Sequence, residues 1–290
     1  MTIQRYHLGG PLWGAKVWQG TLFSADAKPA TWLGQYARVF NTVEGNTTFY
    51  RTPTVDTSAR WAAAVPDDFR FCFKLDRGIT HERQLAGADA QVRRFLDGLA
   101  PLQGRLGPLF VQLPASFGPD RLATLAAFLD ALPPTLPRAV EVRHPAFFTG
   151  GPAERAVDAL LAERGVDRAV MDTRPLRAAP PPLDEATRQA QQKKPDLPVR
   201  PIGLARHPFI RYVAHPDAAA NGPWLAAWAE VVAGWIAEGR DPYVFIHSPG
   251  DVDVPLLARR FHRMLLDRGA PVGEMPPWPG EAGPPQLSLI

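Results

Sequence analysis

Short apolar runs alternate with longer amphipathic ones from end to end of the chain. The short runs are rich in β-branched and aromatic residues, the signature of strands buried on both faces. They are "YHLGG" (6–10), "FNTVEGN" (40–46), "FRFCFKL" (69–75), "GPLFVQLP" (107–114), "RAVEVRH" (138–144), "RAVMDTR" (168–174), "PFIRYVAH" (208–215) and "PYVFIHSP" (242–249). Seven of them are followed by a segment with apolar residues three and four apart, which predicts helices near 31–40, 55–65, 89–102, 120–132, 152–165, 224–239 and 254–269. Leu122, Leu125, Leu129 and Leu132 fall on one such face, and Gly165 and Gly269 stand where C-caps are needed.

Eight strand–helix units in this length predict an α/β chain with a TIM-barrel-like (β/α)8 fold. A doubly wound open sheet is the alternative, but "LGGPLWG" after the first strand lacks the G-x-G-x-x-G spacing of a dinucleotide fingerprint. The sixth helix is the exception. Residues 175–208 are rich in proline and charge and hold one short helical pattern, "LDEATRQAQQ". This Pro-rich excursion replaces or extends the sixth helix and leaves from a strand end, where long loops wall active sites. The reading is one domain over 1–269 and a Pro/Gly-rich tail over 270–290, expected to be extended or mobile.

Composition narrows the class without naming a function. The chain has 290 residues, 46% of them hydrophobic, and a formal net charge of +3. Charges of both signs are mixed, so an anionic partner is allowed and none is demanded. One cysteine, Cys72, excludes an internal disulfide, and its mid-strand place reads as core. No apolar run reaches the length of a membrane span, and "MTIQRYHLGG" lacks the layout of a signal peptide. The expectation is a cytoplasmic chain with no membrane association.

The chemistry collects at the C-terminal ends of the strands, where barrels of this kind hold their sites. The second strand ends in Glu44 and Asn46, with Tyr50 beyond. The third ends in Lys74, with His81 in the following loop. The fourth offers Gln112. The fifth offers Glu141, Arg143 and His144. The sixth offers Asp172, the seventh Arg211 and His215, and the eighth His247. Strand alternation puts Glu44 with Asn46, and Glu141 with Arg143, on one side. Buried carboxylates need partners, so Lys74, Arg143 or Arg211 must lie close. Such a set can be an ion-paired plug or a site. As a site it gives Glu44, Glu141, His144, His81 and Asp172 catalytic roles, with one glutamate raised by enclosure to act as general acid or base. Asn46, Tyr50, Lys74, Gln112, Arg143, Arg211 and His247 then bind the substrate. The abundance of cations favours an anion over a metal, and no metal or other cofactor is implied.

Several stretches also resemble the YecE-like family (domain of unknown function 72): "FNTVEGNTTFYRTP", "FRFCFKLDRGITHERQL", "LGPLFVQLPASFGP", "AVEVRHPAFF" and "MDTRPLRAA". The resemblance spans about residues 4–266 and implies a TIM barrel without implying a reaction. It puts the family's hallmark polar residues on Glu44, Asn46, Thr48, Tyr50, Lys74, His81, Gln112, Glu141, Arg143, His144 and Asp172. Where many relatives have histidine–glycine after the seventh-strand arginine, this chain reads "RYVAHP".

The expected function is an enzyme, a hydrolase or isomerase, with a small anionic substrate of phosphate or sugar-phosphate type. The alternative is a binding module for the same anion. The last five residues, "QLSLI", resemble the peptide that binds bacterial sliding clamps. Gln286 would offer amide hydrogen bonds, and Leu287, Leu289 and Ile290 would fill an apolar groove. Such a tether would bring in nucleic acid as a partner and point the site toward a phosphodiester.

Overall fold

The computed structural model describes residues 6–281, and all eight predicted strands are present there. They are β1 (His7–Gly9), β2 (Thr42–Gly45), β3 (Arg70–Phe73), β4 (Leu109–Gln112), β5 (Arg138–Glu141), β6 (Asp167–Asp172), β7 (Phe209–Val213) and β8 (Tyr243–His247). Six form a curled parallel sheet in the order β1-β8-β7-β6-β5-β4, and β2 and β3 form a separate parallel pair. The pair meets the larger sheet through one-residue bridges, Lys74 with Phe110 and Phe71 with Leu106, and through the Glu44 amide donating to the Gly10 carbonyl at 3.0 Å. Close approach of β1 to β2 explains the "GG" of the first segment. A Cβ on Gly9 would stand 2.0 Å from the Thr42 carbonyl oxygen.

The helices fall where the apolar period placed them, apart from end residues. They are α1 (Pro29–Tyr36), α2 (Val55–Ala63), α3 (Asp89–Gly98), α4 (Leu122–Ala131), α5 (Pro152–Glu163), α6 (Arg174–Arg177), α7 (Glu185–Lys193), α8 (Gly222–Ala237) and α9 (Val254–Asp267). Gly165 and Gly269 take positive φ, 62° and 72°, as helix stops should. None of these helices is long and apolar enough to cross a membrane. The excursion contains two helices: α6 opens it, and α7, N-capped by Asp184, carries the pattern predicted there.

Two apolar regions result. The larger lies between the sheets and the helices. The smaller lines the concave side and consists of Cys72, Phe110, Ala139, Ala169, Phe209, Tyr243 and Phe245. Each comes from a different strand or from alternate residues of one strand, as a two-residue period requires.

The tail differs from expectation. Residues 270–281 lack regular structure but are packed against the body. They run back along α9: the Gly273 carbonyl lies 2.8 Å from His262 Nε2, and the Arg259 guanidinium sits 3.3 Å from the Trp278 ring centroid and pairs with Glu281. Trp278 is buried, and a Cβ on Gly280 would strike the Thr21 carbonyl oxygen at 2.0 Å. The expected mobile tether is thus a strap over these residues, because an indole buried on a cation outweighs the loss of chain entropy. Trp278→Ala should lower stability by about 3–5 kcal/mol, the range for truncating a buried aromatic side chain. It should also free the 270–281 amides in hydrogen exchange. Unchanged exchange would show that the indole does not hold the strap. Gln286, Leu287, Leu289 and Ile290 lie outside the described residues.

Candidate functional site

Period-two geometry builds a charged layer directly on the inner apolar one. Thr42, Cys72, Phe110, Ala139, Phe209 and Phe245 are each followed two residues later by a polar side chain: Glu44, Lys74, Gln112, Glu141, Arg211 and His247. All six are buried.

Arg211 is the hub of that layer. Its Nε and Nη2 donate to Glu44 at 2.7 and 2.8 Å, and its Nη1 donates to Glu141 at 2.7 Å. Arg143 Nε donates to the other Glu141 oxygen at 2.6 Å, and its Nη2 donates to Gln112 Oε1 at 2.9 Å. Asn46 Nδ2 donates to Glu44 Oε1 at 2.8 Å and to the Pro11 carbonyl at 3.1 Å. All four carboxylate oxygens are therefore engaged by fixed donors. The guanidinium of Arg211 also lies 4.7 Å from the Phe110 ring centroid, so the aromatic layer supports the charged one.

These contacts reverse one expectation. Burial alone would raise both glutamates. The Arg211 guanidinium, aided by His247, nevertheless holds the Glu44 carboxyl well below 4.5. For Glu141 burial is again the largest influence, but Arg143 and Arg211 overcome it and lower the carboxyl to about 2. Both are fixed carboxylates at neutral pH, and neither carries a proton to give. The perturbed proton carrier is Lys74. Burial first, then Arg211 and Arg143, lowers its amine to about 7 against the opposing pull of Glu141 and Glu44. Its Nζ lies 3.6 Å from the Phe49 ring centroid and, among the described residues, donates no hydrogen bond.

His81 packs edge-on against the same Phe49 ring, with centroids 5.0 Å apart, and its Nδ1 meets Thr80 Oγ1 at 2.9 Å. Burial, Lys74 and Arg143 lower it to about 4, so the ring is neutral. His81 rides on a single π-helical turn, Gly78–Glu82, followed by Gln84 and Leu85 at positive φ, 46° and 70°. A bulky residue in that region is strained and persists here because Leu85 is buried. His247 is lowered to about 4 by burial first and then by Lys194. Its Nε2 is 3.6 Å from Glu44 Oε2, beyond hydrogen-bond reach, and is a buried nitrogen without a partner among the described residues.

Comparison with known proteins places the chain. The family model described as "Protein of unknown function DUF72" matches residues 7–282. The chain belongs to the DUF72 family. It is 38% identical to the UPF0759 protein YecE of Escherichia coli (strain K12) over 276 residues, 95% of this chain and 98% of that one. Two solved DUF72 structures share its fold. One, from Thermotoga maritima MSB8, has a TM-score of 0.68 and 22% identity, and covers 90% of this chain and 99% of that one. The other, from Enterococcus faecalis V583, has a TM-score of 0.67 and 21% identity, and covers 92% and 99%.

In this DUF72 chain, Glu44, Asn46, Lys74, Gln112, Glu141, Arg143, Arg211, His247 and His81 come together as expected. Three expected residues do not join them. Asp172 is one residue out of phase with Ala169 and Met171, and its carboxylate accepts from Trp228 Nε1 at 2.7 Å and from Arg174 at 2.8 and 2.9 Å. It fixes α8 to the strand end, on the side away from the cluster. His144 caps the turn after β5, its Nδ1 accepting from the Ala146 amide at 3.2 Å. Tyr50 is 78% exposed and packs on the outer edge of Phe49. His215 likewise serves its own turn, its Nδ1 accepting from the Asp217 amide.

Two residues at this DUF72 mouth escape sequence reasoning because they sit in loops with no period. Lys194, at the end of α7, is electrostatically coupled to Arg211, Glu44, Glu141 and Asp251, and is lowered to about 8 by burial and Arg211. Asp251, after β8, sits at φ 57° and is raised by burial. Its carbonyl accepts from Trp18 Nε1 at 2.7 Å. The excursion therefore walls the mouth and supplies a cation to it. A small cavity beside Glu141 and Arg143 is lined by Met171 of β6 and by Pro195 and Leu197 from that wall.

Proposed function

We propose that the eight strands make a (β/α)8 ring and that its mouth is the site of an enzyme for a small anion of phosphate or carboxylate type. The observation that carries this is the charge balance. Arg143, Arg211, Lys74 and Lys194 face Glu44, Glu141 and Asp251, four basic groups against three acidic ones. Glu44 and Glu141 are spent on orienting the guanidiniums. Arg143 is the least buried of the two arginines and presents its remaining edge to a ligand. Lys74, near neutrality, exchanges the proton. This replaces the glutamate acid–base role with an amine in the same layer. Reactions of hydrolase or isomerase type on a phosphate ester or sugar phosphate suit these groups, and a nucleic-acid phosphodiester presents the same oxyanion.

Inorganic phosphate and a panel of sugar phosphates test the reading. A ligand at a hundred times its Kd should stabilise the wild type by about 2.7 kcal/mol. Arg143→Ala should abolish that gain while the protein remains folded. Product detected by mass spectrometry makes the site an enzyme. Binding without product across phosphomonoesters, phosphodiesters and sugar phosphates makes it a sensor of the anion. The clamp-binding role of residues 286–290 is tested separately. Titration of the 270–290 peptide against a bacterial sliding clamp should show micromolar affinity that Gln286→Ala and Leu289→Ala remove.

A further inference from the structure

We propose that Lys74 is a covalent catalyst whose ε-amine forms an imine with the carbonyl carbon of a substrate that also carries the anionic group. The inference rests on the anion site proposed above and narrows its substrate to an aldehyde or ketone bearing a phosphate or carboxylate.

The geometry leaves the Lys74 amine on the strand layer itself, without a hydrogen-bond partner among the described residues. The oxygens of Glu44 and Glu141 are taken by Arg211, Arg143 and Asn46, so no carboxylate captures the amine. Thr48 Oγ1 donates to the Lys74 carbonyl at 2.7 Å, and the Lys74 amide donates to the Gly45 carbonyl at 3.1 Å, so the residue's backbone is fixed. Ser248 Oγ accepts from the Asp253 amide and is committed to its turn. Cys72 lies one layer deeper, and burial pushes its thiol up. Phe49 and the neutral His81 wall one side of the amine. Burial first, and then the Arg211 and Arg143 guanidiniums, discourage its proton, so a large share of the amine is nucleophilic at neutral pH.

The step is redox-neutral. The amine lone pair attacks the carbonyl carbon, and the C=O π pair moves to oxygen. Both N–H protons end on that oxygen, which leaves as water when the C–O bond breaks, and a C=N bond remains. Arg143 would hold the substrate's anionic group meanwhile.

The full-length protein is incubated with glyceraldehyde 3-phosphate and sodium borohydride, and the reduced adduct is mapped by peptide mass. At neutral pH Lys74 should be labelled on the order of a thousandfold faster than surface lysines, because the neutral fraction changes tenfold per pKa unit. The label should disappear in Lys74→Arg and in Lys74→Met and be slowed by inorganic phosphate. Labelling spread evenly over surface lysines, or directed to Lys194, overturns the proposal. The two ideas fail separately. Stabilisation by phosphate with no adduct at Lys74 rejects the imine and leaves the anion site. An adduct at Lys74 that phosphate neither slows nor competes with rejects the anion site and supports the imine.

Discussion

Arg211→Met is expected to destabilise the protein by about 3–5 kcal/mol at neutral pH, the range for breaking a buried ion pair by removing one partner. The guanidinium is the common partner of Glu44 and Glu141, three hydrogen bonds at 2.7–2.8 Å among buried groups. Without it Glu44 keeps only Asn46, while Glu141 keeps Arg143. The pH dependence is diagnostic. In the wild type both carboxyls are lowered on folding, so their stabilisation is complete above the unfolded value near 4.5. It is lost as the pH falls toward about 2, the value for Glu141. In the variant Glu44 loses its cationic partner, and burial, which raises it, is opposed only by His247 and Asn46 among the described residues. Its protonation then relieves the penalty, so the deficit against wild type should be largest at neutral pH and shrink below about pH 5. Urea unfolding at both ends of that window checks this. A deficit that does not change with pH would mean that the arginine contributes packing and not charge.

Lys74→Met should act in opposite directions on activity and stability. Turnover of the anionic substrate should fall by about 10²–10⁴, the usual contribution of a positioned proton carrier, and by more if the imine forms. In the wild type, activity should rise as the pH is raised through about 7, where the amine loses its proton. Around it Arg211 remains a cation, Glu44 and Glu141 remain anions and His81 is lowered to about 4, while Lys194, lowered to about 8, loses its proton next. Stability should move the other way. The folded value of Lys74 lies below its unfolded one, so the penalty for burying its charge is complete below about pH 7 and fades as the pH rises toward 10.5. Methionine removes that penalty. The variant should gain about 1 kcal/mol or more at neutral pH, seen as a melting point 2–4 °C higher, with the gain fading in alkali. A variant that is both inactive and less stable would assign Lys74 to structure.

The strands and helices were legible because their signals are local. "FRFCFKL" can be nothing but a short buried strand, and Gly165 and Gly269 supply the positive φ that stops a helix. The members of the site were legible too, since alternation alone places Glu44 beside Asn46 and Glu141 beside Arg143. What local signals do not carry is phase between strands. Asp172 looks like any other strand-end carboxylate, and only the side of the sheet on which Ala169 lies shows that it faces α8. The electrostatic outcome is also non-local. Burial and ion pairing push a carboxyl in opposite directions, and the bidentate grip of Arg211 decides between them. Lys194 and Asp251 arrive on irregular segments whose paths no residue spacing encodes.

The separation of β2–β3 from the six-stranded sheet has a mechanical meaning. Glu44 belongs to the small pair, whereas Arg211 and Glu141 belong to the large sheet, so the ion cluster is a bolt driven across a seam. Few backbone hydrogen bonds cross that seam, and each opening of it would dismantle the ion cluster. Occupancy of the proposed site would therefore be linked to closure of the seam. An anion should slow hydrogen exchange along β2 and β3 more than along β7 and β8, and pulling the pair away should release it.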